Sequence, residues 1–393
     1  MKQIGINFLL LLLPVLSWAQ AEPQPYRLSA QLQTQVATDT VPWKHQKAAW
    51  DYTYMGDYFK ALQTWDAQYP TMNRKVTAQD RATFAGYTAK NAKEYLLTRA
   101  AIEQLFIINE AHHNPRHRVF TQSLLADLYK QGYRYLALEA LVQADSLINQ
   151  RGYPVITSGY YTKEPQFGNL IREAIRLGYI VFGYDTEGNG KDRETGQGRN
   201  IQQVLQKDPK AKIIIHCGFD HVNEGPSQAW EKAMAGRLKE FTGIDPFTVD
   251  QEDYTETSAT HYDSPFFQLS QLSYPAIYVR NDNGQLFTGT SNNRQVDVAM
   301  VHPKTKLVNG LPDWIWMNGQ RKPYKVSANK ITIDLPCLAL AYKATESEQA
   351  VPIDVVEFSN RTSVLPLALP RGEYRLVLRD GKDKTQELQM KVK

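Results

Sequence analysis

Between residues 105 and 215, short apolar runs take turns with helical patterns, and few architectures accommodate that alternation. The runs are Leu105–Ile108, Tyr135–Leu138, Tyr179–Phe182 and Ile213–Ile215. Strands with no polar alternation are buried on both faces, which is the condition of a parallel sheet covered by helices. The helices are legible too. One spans Pro115 to Gln131 with Phe120, Leu124 and Leu128 on one face, and another carries Phe167, Leu170, Ile171 and Ile175 and stops at Gly178. The expected fold is therefore α/β, a mostly parallel sheet flanked by helices, over residues 102–328. An N-terminal helical segment is expected over 22–101 and a C-terminal antiparallel β module over 329–393. In the first, Ala48, Trp50, Tyr54, Gly56, Tyr58 and Leu62 fit a helical pair packed on the main domain, or one copy of a tetratricopeptide-type hairpin. In the second, 331–335, 374–378 and 388–392 alternate with a period of two.

Composition removes several classes of function. The 393 residues carry 45 basic and 41 acidic side chains, a net charge of +4. That balance leaves no dense basic stripe, so no nucleic-acid partner is expected. Two cysteines cannot build a disulfide framework or a four-thiolate zinc site. Cys217 and Cys337 sit in apolar runs and read as buried free thiols. Lys2, the unbroken Leu9–Leu13 and the small residues around Ala19 and Ala21 read as a signal peptide over 1–21. Its apolar core falls short of the roughly 20 residues that span a bilayer. The expectation is a periplasmic or secreted protein with no stable membrane insertion, acting on a small-molecule substrate or ligand.

In an open parallel sheet, ligands bind beyond the carboxyl ends of the strands. The first run leads into Asn109-Glu110-Ala111-His112-His113, and Arg118 follows in the next helix. The second ends at Glu139, the third at Asp185, and the fourth passes through His216 to His221. Carboxylates and imidazoles at four neighbouring strand ends are hard to explain by packing, because each buried ionisable group needs a partner. Glu110, His112, Glu139, His221, Arg118 and Asp185 are thus the candidate catalytic residues, with Asp185 equally able to cap its own turn. His113 and His117 have the spacing of a helical zinc pair, but Pro115 starts the helix between them, which argues against such a site.

Asn109–Arg118, Leu136–Glu139 and Gly218–Val222 together resemble the superfamily that unites erythromycin esterases, ChaN-type haem-binding proteins and Tiki/TraB-type proteins. That group is marked by two Gly-x-x-His motifs and a Glu after the second strand. Gly218 to His221 keeps one motif, whereas Asn109 replaces the glycine of the other. The resemblance covers the α/β unit, and each branch implies a different function. An esterase-like protein would use Glu139 or His112 to activate water, His221 to polarise or protonate the departing oxygen, and Arg118 to hold an anion. A Tiki-like protein would bind a divalent metal through His112, His221 and Glu110 or Glu139. A ChaN-like protein would hold haem, with Tyr153, Tyr160, Tyr161 and Tyr184 as candidate ligands. A non-catalytic envelope binding module is the fourth reading. Hydrolysis of an ester or amide is the leading expectation, with no metal needed, since carboxylates are numerous at the strand ends. The same comparison raises the expectation that losing the glycine at 109 restricts the backbone there and shifts His112.

Overall fold

The computed structural model describes residues 25–290, 295–360 and 365–393, so the leader expected over 1–21 lies outside the described residues. Eight strands make the main sheet. They are β1 (Tyr87–Asn91), β2 (Leu105–Glu110), β3 (Tyr133–Leu138), β4 (Ile180–Gly183), β5 (Lys212–Gly218), β6 (Phe247–Asp250), β7 (Ala276–Arg280) and β8 (Val298–Val301). Their order is β1-β7-β8-β6-β2-β5-β3-β4. Pairing is parallel from β8 through β4, while β7 and β1 are added antiparallel at one edge. The fold is α/β, with a mostly parallel sheet flanked by helices.

Side-chain alternation divides each central strand between two cores. From β2, Phe106 and Ile108 face α5 (Ala92–Ala100), α6 (Arg116–Lys130) and α7 (Pro165–Leu177). Leu105 and Ile107 face α8 (Gly190–Lys207) and α9 (Met234–Thr242). That two-sided burial is why the strands read as continuous apolar runs.

Two differences from the sequence expectation have physical reasons. The segment 22–101 is helical in α1 (Ser29–Thr38), α2 (Lys44–Tyr54), α3 (Tyr58–Asp66), α4 (Ala78–Ala85) and α5, but β1 interrupts it. As an edge strand with no fully buried residue, Tyr-Thr-Ala-Lys-Asn carries no apolar signal. Residues 331–335 alternate yet form no strand. Ile331 and Ile333 are buried, and a period of two records which side chains face inward, not whether the backbone finds a ladder. The antiparallel module is instead β9 (Cys337–Lys343), β10 (Asp354–Phe358), β11 (Gly372–Asp380) and β12 (Thr385–Val392), in the order β10-β9-β11-β12.

The helical hairpin α2–α3 packs on that module. Tyr52, Tyr54, Met55 and Ala61 cover Leu338, Leu340, Tyr342 and Val355, while alternate residues Cys337, Ala339 and Ala341 face a second core. Gly56 makes the turn with φ +80°, and a Cβ there would lie 2.0 Å from the Val355 carbonyl oxygen. The hairpin is held by the module, and its remaining aromatic residues reach the carboxyl end of the main sheet.

Candidate active site

Register puts Glu110 level with Gly218 and Leu138 level with His216, so the ends of β2, β3 and β5 share one edge of the sheet. Glu110 is the buried centre. Arg118 binds both of its oxygens, through Nε at 2.5 Å and Nη2 at 2.7 Å. His112 Nδ1 lies 2.9 Å from Oε1, and His216 Nε2 lies 3.0 Å from Oε2. Burial alone would raise this carboxyl, but the Arg118 charge and the hydrogen bonds outweigh it and hold Glu110 well below the usual carboxylate range. Arg118 is wholly enclosed. Its Nη1 donates to Glu164 at 3.0 Å, its Nη2 also to the His112 carbonyl at 3.0 Å, and the Phe167 ring lies against it.

His112 is oriented from three sides. Besides the bond to Glu110, its ring stacks on Tyr161 at 3.7 Å, and its outer edge rests on Gly218. A Cβ at Gly218 would fall 2.3 Å from His112 Cε1 and 2.5 Å from Nε2, so only glycine fits, although its φ of −89° is ordinary. The same point is 3.3 Å from Glu139 Oε2, and the Gly218 N–H donates to that oxygen at 2.6 Å. Imidazole and carboxylate therefore converge on Gly218. Because Nδ1 faces an ionised carboxylate, the hydrogen-bond network assigns the proton to Nδ1 and leaves a lone pair on Nε2.

The other oxygen of Glu139 accepts from Arg193 Nη2 at 2.6 Å and faces His221 Nε2 at 3.2 Å. Burial would raise Glu139 as well, but the charge and hydrogen bond of His221 and the charge of Arg193 pull it below the usual range. His221 is clamped between two carboxylates, with Nδ1 2.8 Å from Glu194, and Trp230 stacks over its ring. An Arg193 N–H also approaches Nε2 at 3.2 Å, an arrangement suited to a neutral ring. Two carboxylates outweigh one guanidinium already engaged by Asp185 and Glu139. Burial disfavours the imidazolium, yet these carboxylates push His221 up to about 10 from its ordinary 6.5.

That shift has a sign that can be measured. A histidine raised on folding stabilises fully below its unfolded value of 6.5, and the contribution is lost as pH rises through about 10. The urea midpoint is expected to fall between pH 7 and 10, and His221→Gln to flatten that fall. Parallel pH profiles for wild type and variant would contradict it.

Of the residues expected to carry chemistry, the structure brings Glu110, His112, Glu139 and His221 into one cluster. Arg118 lies beneath it, and being wholly buried with every nitrogen bonded inside the protein it positions Glu110 and does not face a substrate anion. Asp185 caps its own turn through the Thr186 N–H at 2.9 Å and pairs with Arg193, one step removed from the imidazoles. Asn109 departs from expectation. It sits in extended β2, where its amide holds the Phe219 carbonyl and Asp250 while its oxygen accepts from the Gln251 N–H, so it ties the loops together. His117 is structural, its Nδ1 accepting from the Ala111 N–H and its Nε2 bonded to Thr255, and burial lowers it to about 3.

The donors do not suit the metal or the haem of the resembling branches. Both nitrogens of His221 and both oxygens of Glu110 are committed to protein partners. Among the described residues no group of three His, Cys, Asp or Glu side chains is placed to hold an ion. Tyr184 is wholly buried and the Tyr153 hydroxyl meets Ser347, so the four tyrosines do not face one slot. Cys217 and Cys337 are buried thiols that form no disulfide among the described residues.

Beside the cluster opens a cleft of about 580 Å³. Its walls come from Trp50, Trp65 and Tyr69 on the helical hairpin side and from Phe219 and the 252–264 loop on the other. Trp50 and Phe219 also border His112, with ring centroids 6.3 and 4.9 Å away.

The sequence matches no family model and no curated protein. Among solved structures it is similar to the type III effector HopBA1, at 10% identity and a TM-score of 0.34, over 55% of this chain and 96% of that one. It is also similar to RRSP, a MARTX toxin effector domain from Vibrio vulnificus CMCP6, at 18% identity and a TM-score of 0.32, over 57% of this chain and 45% of that one. A structure described as bacterial protein toxins gives 17% identity and a TM-score of 0.33, over 57% and 47%. The chain thus spans under half the length of both toxin structures.

Proposed function

We propose that the protein is a hydrolase that cleaves an ester or amide bond by acid–base catalysis at the Glu110–His112–Glu139–His221 cluster. The observation that carries this reading is the convergence of His112 Nε2 and Glu139 on Gly218. In the proposed reaction His112 is the general base, since Glu110 fixes its ring and leaves Nε2 to take a proton from water. Glu139 is the weaker candidate, because three partners bond its charged form and depress its basicity. Its role is to keep His221 protonated, so that His221 and Arg193 place positive charge where an oxyanion develops. Arg118 and Glu164 hold Glu110, and through it His112. Export remains the proposed location, on the strength of the leader-like residues 1–21.

Gly218→Ala tests the convergence. Its N–H and its φ are compatible with alanine, so the added methyl acts by displacing His112. Hydrolysis of p-nitrophenyl esters and anilides is expected to fall about 100-fold, the usual consequence of a 1 Å misplacement at a reacting group. An unchanged rate would overturn the proposed arrangement.

A further inference from the structure

We propose that the finger formed by Leu307–Val308 and Leu311–Pro312, with the lysines around its root, docks the protein on an anionic lipid surface. The proposal is independent of the hydrolase reading. Its first support is charge. The chain as a whole is balanced, with 45 basic and 41 acidic residues, but residues 302–333 hold six basic residues against Asp313 alone. Arg321 is buried, whereas Lys304, Lys306, Lys322, Lys325 and Lys330 are exposed. None of these five forms an ion pair among the described residues. Asp313 accepts from the Trp314 N–H at 3.0 Å. Asp334 and two acids of the adjoining β11 and β12 are already paired, Asp334 with Lys382, Glu373 with Lys391 and Glu387 with Arg375. The lysine charge is therefore left for a partner.

The second support is the shape of the tip. The finger closes at Asn309 and Gly310, both in the left-handed region at φ 54° and 82°, the geometry of a tight hairpin turn. Leu307 is 61% exposed and Val308 43%. Leu365, also exposed, lies against the turn, since a Cβ at Gly310 would meet its Cδ2 at 2.8 Å. Lys306 adjoins Leu307 in the chain, and Lys322 and Lys325 flank a strand that pairs with Leu367–Leu369, just beyond Leu365. Aliphatic side chains at the tip with lysines behind them match the layers of a bilayer, acyl carbon beneath phosphate headgroups. A nucleic-acid strand would instead call for aromatic faces, and the tip residues 307–310 have none.

The finger is also held at its root. Arg116 donates to the Pro303 carbonyl and, at 3.2 Å, to the Thr305 hydroxyl, while the Thr305 N–H donates to Glu256 at 2.9 Å. The Trp316 indole donates to the Val308 carbonyl at 3.2 Å. Arg116 opens α6, just after His112 and His113, so docking through the finger anchors the end of the sheet that carries the cluster.

Cosedimentation with vesicles tests this, using protein purified from an exporting host, with the same amino terminus in wild type and variants. Vesicles of phosphatidylglycerol and phosphatidylcholine in equal parts are expected to bind the protein, pure phosphatidylcholine at least about tenfold more weakly, and about 0.5 M NaCl to release it. One lysine near such a surface is worth about fivefold in partition, so Lys304→Gln with Lys306→Gln should weaken binding about 25-fold. Leu307→Ser with Val308→Ser should weaken it about tenfold. Lys207→Gln with Lys210→Gln, the same charge change at the amino end of β5, should stay within about twofold of wild type. Absence of binding to the mixed vesicles, equal binding to pure phosphatidylcholine, or an equal loss in the Lys207/Lys210 pair would overturn the proposal. So would wild-type binding by the Leu307/Val308 pair, which would make the patch a general anion binder with no lipid contact.

Discussion

Replacing Arg118 by methionine is expected to destabilise the protein by about 3–5 kcal/mol, the usual cost of removing one partner from a buried ion pair. The volume is nearly kept, so the loss is electrostatic. Glu110 and Glu164 are both fully enclosed, and Arg118 is the cation that touches each of them. A domain typically has about 5–15 kcal/mol in total, so the variant should unfold at much lower urea than wild type. Adding Glu164→Gln should recover part of the loss, because it removes one of the two stranded charges. Urea titrations of the single and double variants check both statements. A single variant with a wild-type midpoint would show that the buried charges are compensated by other groups.

The sheet was legible in the sequence because burial on two faces leaves apolar runs, and the polar cluster was legible because ionisable residues follow those runs directly. Glu110, His112, Glu139 and His221 were found that way. The partners that orient them were not. Glu164 precedes Pro165 and reads as a helix N-cap, which it is: one oxygen accepts from the Phe167 N–H at 2.8 Å while the carboxylate also serves Arg118. Glu194 lies in the polar start of α8, where nothing marks it out, yet it holds His221 and the Met234 N–H. His216 was visible as a strand end, but its bond to Glu110 depends on the register between β5 and β2. Tyr161 lies in the long connection between β3 and α7, the two tryptophans lie in the hairpin that precedes the sheet, and only the packing of the hairpin on the C-terminal module brings Trp50 to His112.

The role expected of Arg118 failed for a related reason. Sequence position in the first helical turn near an acidic cluster is the same for an arginine that greets a substrate and for one that is buried under it. Burial decides between them, and burial depends on α7, which brings Glu164 and Phe167 to close the space around the guanidinium. Asn109 shows the converse. Position 109 calls for no left-handed backbone, because the strand there is extended, and the asparagine amide bonds the loops after β5 and β6.

The central claim is that His112, oriented by Glu110, is the base of a hydrolytic site that works without a metal. The measurement is the rate of ester hydrolysis by wild type and His112→Ala in the presence of a chelator, with folding checked by circular dichroism. Wild type should keep its activity under chelation, and His112→Ala should lose about 10²–10⁴ in rate while staying folded, the contribution usual for a positioned acid or base. Wild-type activity that vanishes with chelator and returns with one added divalent metal would contradict the account, as would a His112→Ala variant that hydrolyses the ester at the wild-type rate.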